Sequence, residues 1–270
     1  MKSSILLVIV LAVTGAGCSG SSQSASSASP TPSAAAAPTQ TVQATVAPAA
    51  STAPAPGAVK VHYTDVSGIY AEQAIDDEGS LGILDTTSGA FRPDAPISRA
   101  EFVRWLVKAN NVYTSADPTK RIGLAQSSPP TFVDVPKSDP DFKYIQGLAD
   151  AGYVIGINAT HFAPTQWMTR EEMVAIKAPV DEGQAIELSP SDVGFLVFSD
   201  RNSINPQFVS DVHEDFSVRT TQNIGRVWGS IKVFHPRQPL TRAEAAIAIA
   251  EVGKGSAAVA LGRTPPPAPQ

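Results

Sequence analysis

The chain has 270 residues, a formal net charge of −5, four histidines and a single cysteine. An acidic balance with no basic run and no aromatic-plus-basic stripe argues against a nucleic-acid partner, which needs phosphate contacts. One cysteine excludes an internal disulfide, so the fold is held by packing alone.

At the N-terminus Lys2 precedes the apolar run Ile5 to Val13, and small residues lead to Gly17 and Cys18. A membrane helix needs about 20 apolar residues, so this run reads as a signal peptide over residues 1–17. Cys18, directly after Gly15, Ala16 and Gly17, resembles the lipobox of bacterial lipoproteins. That resemblance implies a lipidated thiol and a membrane anchor. The alternative is cleavage nearby with Cys18 an incidental small residue. From Ser19 to Ala58 the chain is almost wholly Ser, Ala, Pro, Thr, Gln and Gly, without a charge or an aromatic. Such a stretch cannot offset the entropy of ordering, and residues 18–58 are expected to be a disordered tether. As a flexible coil it spans on the order of 35 Å, and as an extended polyproline-like form about 120 Å.

The remaining roughly 205 residues are enough for one large domain or several units sharing a core. They contain a threefold repeat. Phe91-Arg92-Pro93, Phe162-Ala163-Pro164 and Phe234-His235-Pro236 each precede a Ser/Thr-Arg motif, at Ser98-Arg99, Thr169-Arg170 and Thr241-Arg242. Every Phe stands eight residues before its Arg and every Pro six before it. Upstream lie Tyr63-Thr64-Asp65, Phe132-Val133-Asp134 and Phe198-Ser199-Asp200, at Asp-to-Arg separations of 34, 36 and 42 residues. The three copies are expected over residues 59–111, 131–180 and 197–254, the last divergent. Inserts lie near 112–130 and 179–197, and residues 255–270 are expected to form a disordered tail.

Ser98, Thr169 and Thr241 each stand three residues before a glutamate, Glu101, Glu172 or Glu244. This is the capping-box pattern, so a helix is expected to start at each site. Apolar faces follow: Phe102, Val103, Leu106 and Ala109; Met173, Val174 and Ile176; Ala245, Ala246, Ile249 and Ala250. Pro179 and Gly253 read as stops for the second and third of these helices. Each preceding Phe, with its Pro restricting the turn, is expected to pack beneath the helix. Earlier helices are expected at Ile69 to Ile75, Phe142 to Ala151 and Phe208 to Val218, with Gly225, Trp228 and Gly229 in a loop. No long run alternates like a strand. The fold is therefore expected to be mainly α: three pseudo-symmetric helical repeats packed together, since one unit alone buries too little. Asp65, Asp134 and Asp200 read as turn or cap residues.

On these residues the repeats resemble S-layer homology domains, the wall-anchoring modules of bacterial surface proteins. The second copy matches almost continuously, through Phe132-x-Asp134-Val135, Tyr144-Ile145, Leu148 to Gly156, Phe162-x-Pro164 and Met168 to Glu172. The first matches at both ends, with Ser98 in place of the usual Thr. The third matches from Phe234 to Glu244, and Arg201 follows its Asp200 where an aliphatic residue is usual. The resemblance implies a pseudo-threefold assembly around a central helix bundle, with an anionic wall polysaccharide, often pyruvylated, held between lobes. It also implies that Arg99, Arg170 and Arg242 bind that ligand. A guanidinium offers paired donors to a carboxylate, and the amides of a helix N-terminus also favour an anion. The other role open to each Arg is pairing with a neighbouring Asp or Glu to lock adjacent copies. Trp167 and Trp228 lie near the motif and are candidates to stack on a sugar ring, or to be packed. Glu101, Glu172 and Glu244 read as caps.

An enzyme finds little support. His62, His161, His213 and His235 share no metal spacing, no nucleophile elbow or phosphate loop occurs, and paired carboxylates such as Asp76 and Asp77 are ordinary on a surface. The expectation is a non-catalytic head, without cofactor or metal and monomeric, that grips wall polysaccharide while lipid at Cys18 holds a membrane. In a Gram-negative type of cell that membrane is the outer one, reached from the periplasm; in a Gram-positive type it is the outer face of the plasma membrane. The other readings are an envelope protein-interaction scaffold with degenerate repeats and, third, a wall-active hydrolase.

Overall fold

The computed structural model describes residues 59–153, 156–186, 194, 196–218 and 222–264, all within the unit Ala50–Gln270. The signal peptide, Cys18, the tether up to residue 58, Val154 and Ile155 of the second copy, residues 187–193 and 195 of the insert near 179–197, residues 219–221 and the tail from residue 265 lie outside the described residues. In chain order the elements are β1 (His62–Tyr63), α1 (Glu72–Ser80), β2 (Ser88–Gly89), α2 (Arg99–Tyr113), α3 (Phe142–Asp150), α4 (Arg170–Glu182), α5 (Val209–Ser217), α6 (Asn223–Trp228), α7 (Arg242–Ile249), β3 (Glu251–Val252), β4 (Gly255–Ser256) and α8 (Ala257–Ala260). The fold is mainly helical, as expected. Its strands are two-residue pieces, β1 parallel to β2 and β3 antiparallel to β4.

Helices α2, α4 and α7 start where the cap pattern places them. Ser98, Thr169 and Thr241 each accept a hydrogen bond from the amide three residues on. Glu172 and Glu244 return the bond to the cap amide, completing two capping boxes. Phe102, Val103 and Leu106, Met173 and Val174, and Ala245, Ala246 and Ile249 are fully buried. Each large apolar side chain among them contributes roughly 1.5–3 kcal/mol.

The copies close on one another in a ring. The residue before each cap, Ile97, Met168 or Leu240, is fully buried, and its amide donates to the carbonyl of another: Ile97 to Leu240, Met168 to Ile97 and Leu240 to Met168, at 3.0, 2.9 and 2.7 Å. The first helix of one copy packs on the motif helix of the copy before it: α3 on α2, α5 on α4, and α1 on α7. This arrangement is cyclic, so each motif helix is covered by a helix of the next copy.

Several local expectations are corrected. Pro179 does not stop α4: it lies inside the helix, which runs on to Glu182 and ends at Gly183 with φ +71°. Burial of Val180 and of the Asp181 side chain outweighs the one ladder bond that proline cannot make. Gly253 is not the stop of α7, which ends at Ile249; with φ +56° it makes the turn between β3 and β4. Gly225 and Trp228 belong to α6 rather than a loop. The first helix is Glu72–Ser80 and not Ile69 to Ile75, because Gly68 and Ile69 form the turn before it. Residues 255–264 are ordered as β4, α8 and a short extension, since Val252 and Ala257 bury against the end of α2.

On α5, Asp211 is buried and its Oδ2 has no hydrogen-bond partner among the described residues. Burial pushes its carboxyl up to about 7. The native state therefore holds a proton that the unfolded chain releases near pH 4, and Asp211 stabilises the fold less as pH rises from about 4 towards 7. Asp211→Asn is expected to raise the urea midpoint much more at pH 8 than at pH 4.5, as measured by circular dichroism.

Candidate functional site

The three motif arginines form three equivalent joints, each reaching into the next copy. Arg99 Nε donates to the Phe162 carbonyl at 2.8 Å, Nη1 lies 3.0 Å from Glu172 Oε1, and the guanidinium stacks 4.6 Å from the Phe162 ring. Arg170 Nη1 donates to the Phe234 carbonyl at 3.2 Å and Nη2 to Glu244 Oε1 at 2.9 Å, and its guanidinium lies 4.6 Å from the Trp228 ring. Arg242 closes the ring: Nε donates to the Phe91 carbonyl at 2.8 Å, Nη1 pairs with Glu101, and its guanidinium stacks on Phe91 and Trp105. Only a planar fork meets a carbonyl, a carboxylate and a ring face together, which is why lysine is no substitute.

The backbone at each joint is also engaged. The amides of Arg99 and Ala100 donate to Gln166 and Pro164, those of Arg170 and Glu171 to Gln238 and Pro236, and those of Arg242 and Ala243 to Ala95 and Pro93. The third helical amide is taken by the Ser or Thr cap. The expectation that free helix amides are open to an anion is corrected here, because the first three are already satisfied within the protein. Pairing with a neighbouring glutamate, the second role left open for the arginines, is what the geometry displays: their side chains are 1, 11 and 11 % exposed.

Asp134 and Asp200 lie in local turns, closed by the Val135 and Arg201 amides on the Phe132 and Phe198 carbonyls, but the carboxylates of Asp65, Asp134 and Asp200 act well beyond their own loops. Each carboxylate accepts two backbone amides far along the chain: Phe91 and Arg92, Phe162 and Ala163, Phe234 and His235, all at 2.7–2.9 Å. Arg92, Ala163 and His235 have φ of 61°, 60° and 54°, a left-handed conformation that costs a non-glycine residue roughly 1–2 kcal/mol. The charge-assisted bonds offset that cost. In the same copy the aromatic two residues before the Asp packs on the Phe, with ring centroids 5.6, 5.6 and 5.3 Å apart. Each aromatic-x-Asp motif thus fixes the Phe carbonyl that the arginine of the preceding copy meets.

The Arg170 joint differs from the other two. Its Nε is buried without a hydrogen bond among the described residues, and Trp228 Nε1 donates to the same Glu244 oxygen at 2.6 Å. Trp228 is half-buried and packs edge-on against Phe234. Trp167 is 56 % exposed, beside Ser98. Tyr70, which sequence reasoning passed over, is 70 % exposed; partial burial and then the Glu244 carboxylate push its phenol up while Arg170 opposes. A tyrosine just before a helix carries no distinctive sequence signal. No group of three or more His, Cys, Asp or Glu side chains is placed to hold a metal among the described residues. No helix among them is long and apolar enough to cross a membrane.

Residues 62–103 and 131–174 match the S-layer homology domain. Such domains are cell-wall anchoring modules, so the two segments associate this chain with the cell envelope. The matched S-layer homology segments run from β1 into α2 and from the second aromatic-x-Asp motif into α4. Between them they include Arg99, Arg170 and Glu172, and the third copy lies beyond them. No curated protein matches the chain.

Proposed function

We propose that this chain is a non-catalytic anchoring protein that binds an anionic wall polysaccharide at the joints between its copies and tethers a membrane to the wall. The observation that carries this reading is the pair of S-layer homology matches, supported by a third copy that repeats the same Arg-Glu joint. Arg99, Arg170 and Arg242 are proposed to act at the floor of the grooves. There they fix the glutamates and loop carbonyls, and they exchange part of the ion pair for a sugar carboxylate when ligand enters. The Arg170 joint is the best placed of the three, because the Arg170 Nε meets neither a hydrogen bond nor an ion pair among the described residues and Trp228 shares its Glu244 partner. Trp167 is proposed as a stacking face and Trp228 as a packed wall of that groove. Lipid at Cys18 and the 18–58 tether would place the head at a distance from the membrane.

Retention of the purified protein on cell-wall material, before and after mild acid removes the attached polysaccharide, tests this reading. Binding is expected to be lost on stripping. Replacing Arg99, Arg170 and Arg242 together by lysine, with the fold checked by circular dichroism, is expected to lower retention at least about tenfold, because lysine keeps the charge and loses the fork. Undiminished retention by the triple variant would sink the arginine assignment. Retention that survives stripping points instead to an envelope protein as partner, a reading favoured by the engagement of all three guanidinium groups inside the fold.

A further inference from the structure

The opposite end of the motif helices carries a second concave surface, a cleft of about 560 Å³, within the range typical of small-ligand sites. It lies where α2 and α4 end and where the β3–β4 turn follows α7, with Tyr113, Gly183 and Gly253 to Gly255 among its lining. Helix α2 is 15 residues long, so this cleft stands about 20 Å from the arginine ring.

Its walls are built by specific contacts. The segment after α2, within the insert that exceeds the repeat pattern, is pinned back on the helix: Asn110 Nδ2 donates to the Lys120 carbonyl, and Asn111 exchanges two bonds with Ile122. The β3–β4 turn is pinned to α4 by the Gly253 amide on Asp181 Oδ1 at 2.9 Å. It is pinned to α2 by Gly255, where a Cβ would stand 2.6 Å from Tyr113 Cβ. Val180, Val252 and Ile122 supply a buried apolar floor.

The charges facing the cleft are of both signs but unequally engaged. Asp181 is spent inside the fold, where its oxygens take Lys177, Asn223 and Gly253. Lys254 is exposed and carries no ion pair or hydrogen bond among the described residues. Lys120 is only loosely paired, 3.9 Å from Asp117. The two lysines can receive a carboxylate, while Asp117 and Glu182, which also lines the cleft, together with the carbonyl ends of α2 and α4 favour an ammonium group. We propose that this cleft is a second binding site, separate from the glycan joints, that takes a short zwitterionic peptide with small apolar side chains.

The test uses the full chain and unblocked trialanine as probe, followed by titration calorimetry and by amide shifts in nuclear magnetic resonance. Trialanine is expected to bind and to shift the amides of Tyr113, Gly253 and Gly255. Lys120→Ala/Lys254→Ala, both exposed positions, is expected to weaken it at least about tenfold, as is blocking both peptide termini by acetylation and amidation. Retention on wall polysaccharide is expected to be the same in this double variant, which separates the peptide site from the glycan reading. Absence of a binding heat at millimolar trialanine, equal affinity for the blocked peptide, unweakened binding by the double variant, or shifts confined to other residues would each overturn the proposal.

Discussion

Arg99→Met is expected to lower the unfolding free energy by about 3–5 kcal/mol, the cost of breaking a buried ion pair from one side. Three partners are lost or left unmet by that one change: the Phe162 carbonyl, the Glu172 carboxylate and the Phe162 ring face. For a head of this size the thermal midpoint is expected to fall by on the order of 10 °C. Since the Arg99 side chain is 1 % exposed, the loss should persist in 1 M salt, which screens surface pairs and barely touches buried ones. The loose Lys120–Asp117 pair, by contrast, is expected to contribute nothing measurable. Pairing Arg99→Met with Glu172→Gln in a double-mutant cycle should give a coupling of about 1–3 kcal/mol. A coupling near zero, read by denaturant titration, would show that the joint does not lock the copies together.

Asp181→Ala should be of similar size for the opposite reason, because it strands a cation. Lys177 is fully buried and its Nζ meets both Asp181 oxygens at 2.7 Å. The same carboxylate holds Asn223 and the turn amide of Gly253. Burial pushes the Lys177 ammonium down and Asp181 opposes that shift, so removing Asp181 drives it further down. The unfolded chain then binds more protons than the native state, and the stability of the variant is expected to rise with pH up to the ordinary lysine range. Denaturant titration should show a loss of about 3–5 kcal/mol at pH 7, shrinking at pH 9.5. Lys177→Met in the Asp181→Ala background should recover part of it. Full recovery is not expected, since Asn223 and Gly253 still lack their acceptor. A variant that is equally destabilised at both pH values would contradict this account.

How much of this was readable beforehand varies residue by residue. The caps at Ser98, Thr169 and Thr241 were legible because a capping box is local: three residues and two amides decide it. The end of α4 was not, because the tendency of Pro179 to break a helix competes with burial of the residues beyond it, and burial is a tertiary quantity. Asp65, Asp134 and Asp200 were visible as a repeated motif, yet their partners stand 26–35 residues away. Nothing in a short window distinguishes a carboxylate that clamps a distant left-handed residue from one that turns its own loop.

The sequence by itself determined the threefold motif, the helix starts, the mainly helical class and the residue type at each joint, since these follow from spacing and local hydrogen bonding. Tertiary structure alone decided the direction of the ring, in which Arg99 meets the second copy, Arg170 the third and Arg242 the first. It also decided that the insert after α2 becomes a cleft wall. The reason is physical: a guanidinium or a turn acquires its role from groups brought to it by packing of the whole chain, and identical local motifs leave that choice of partner open.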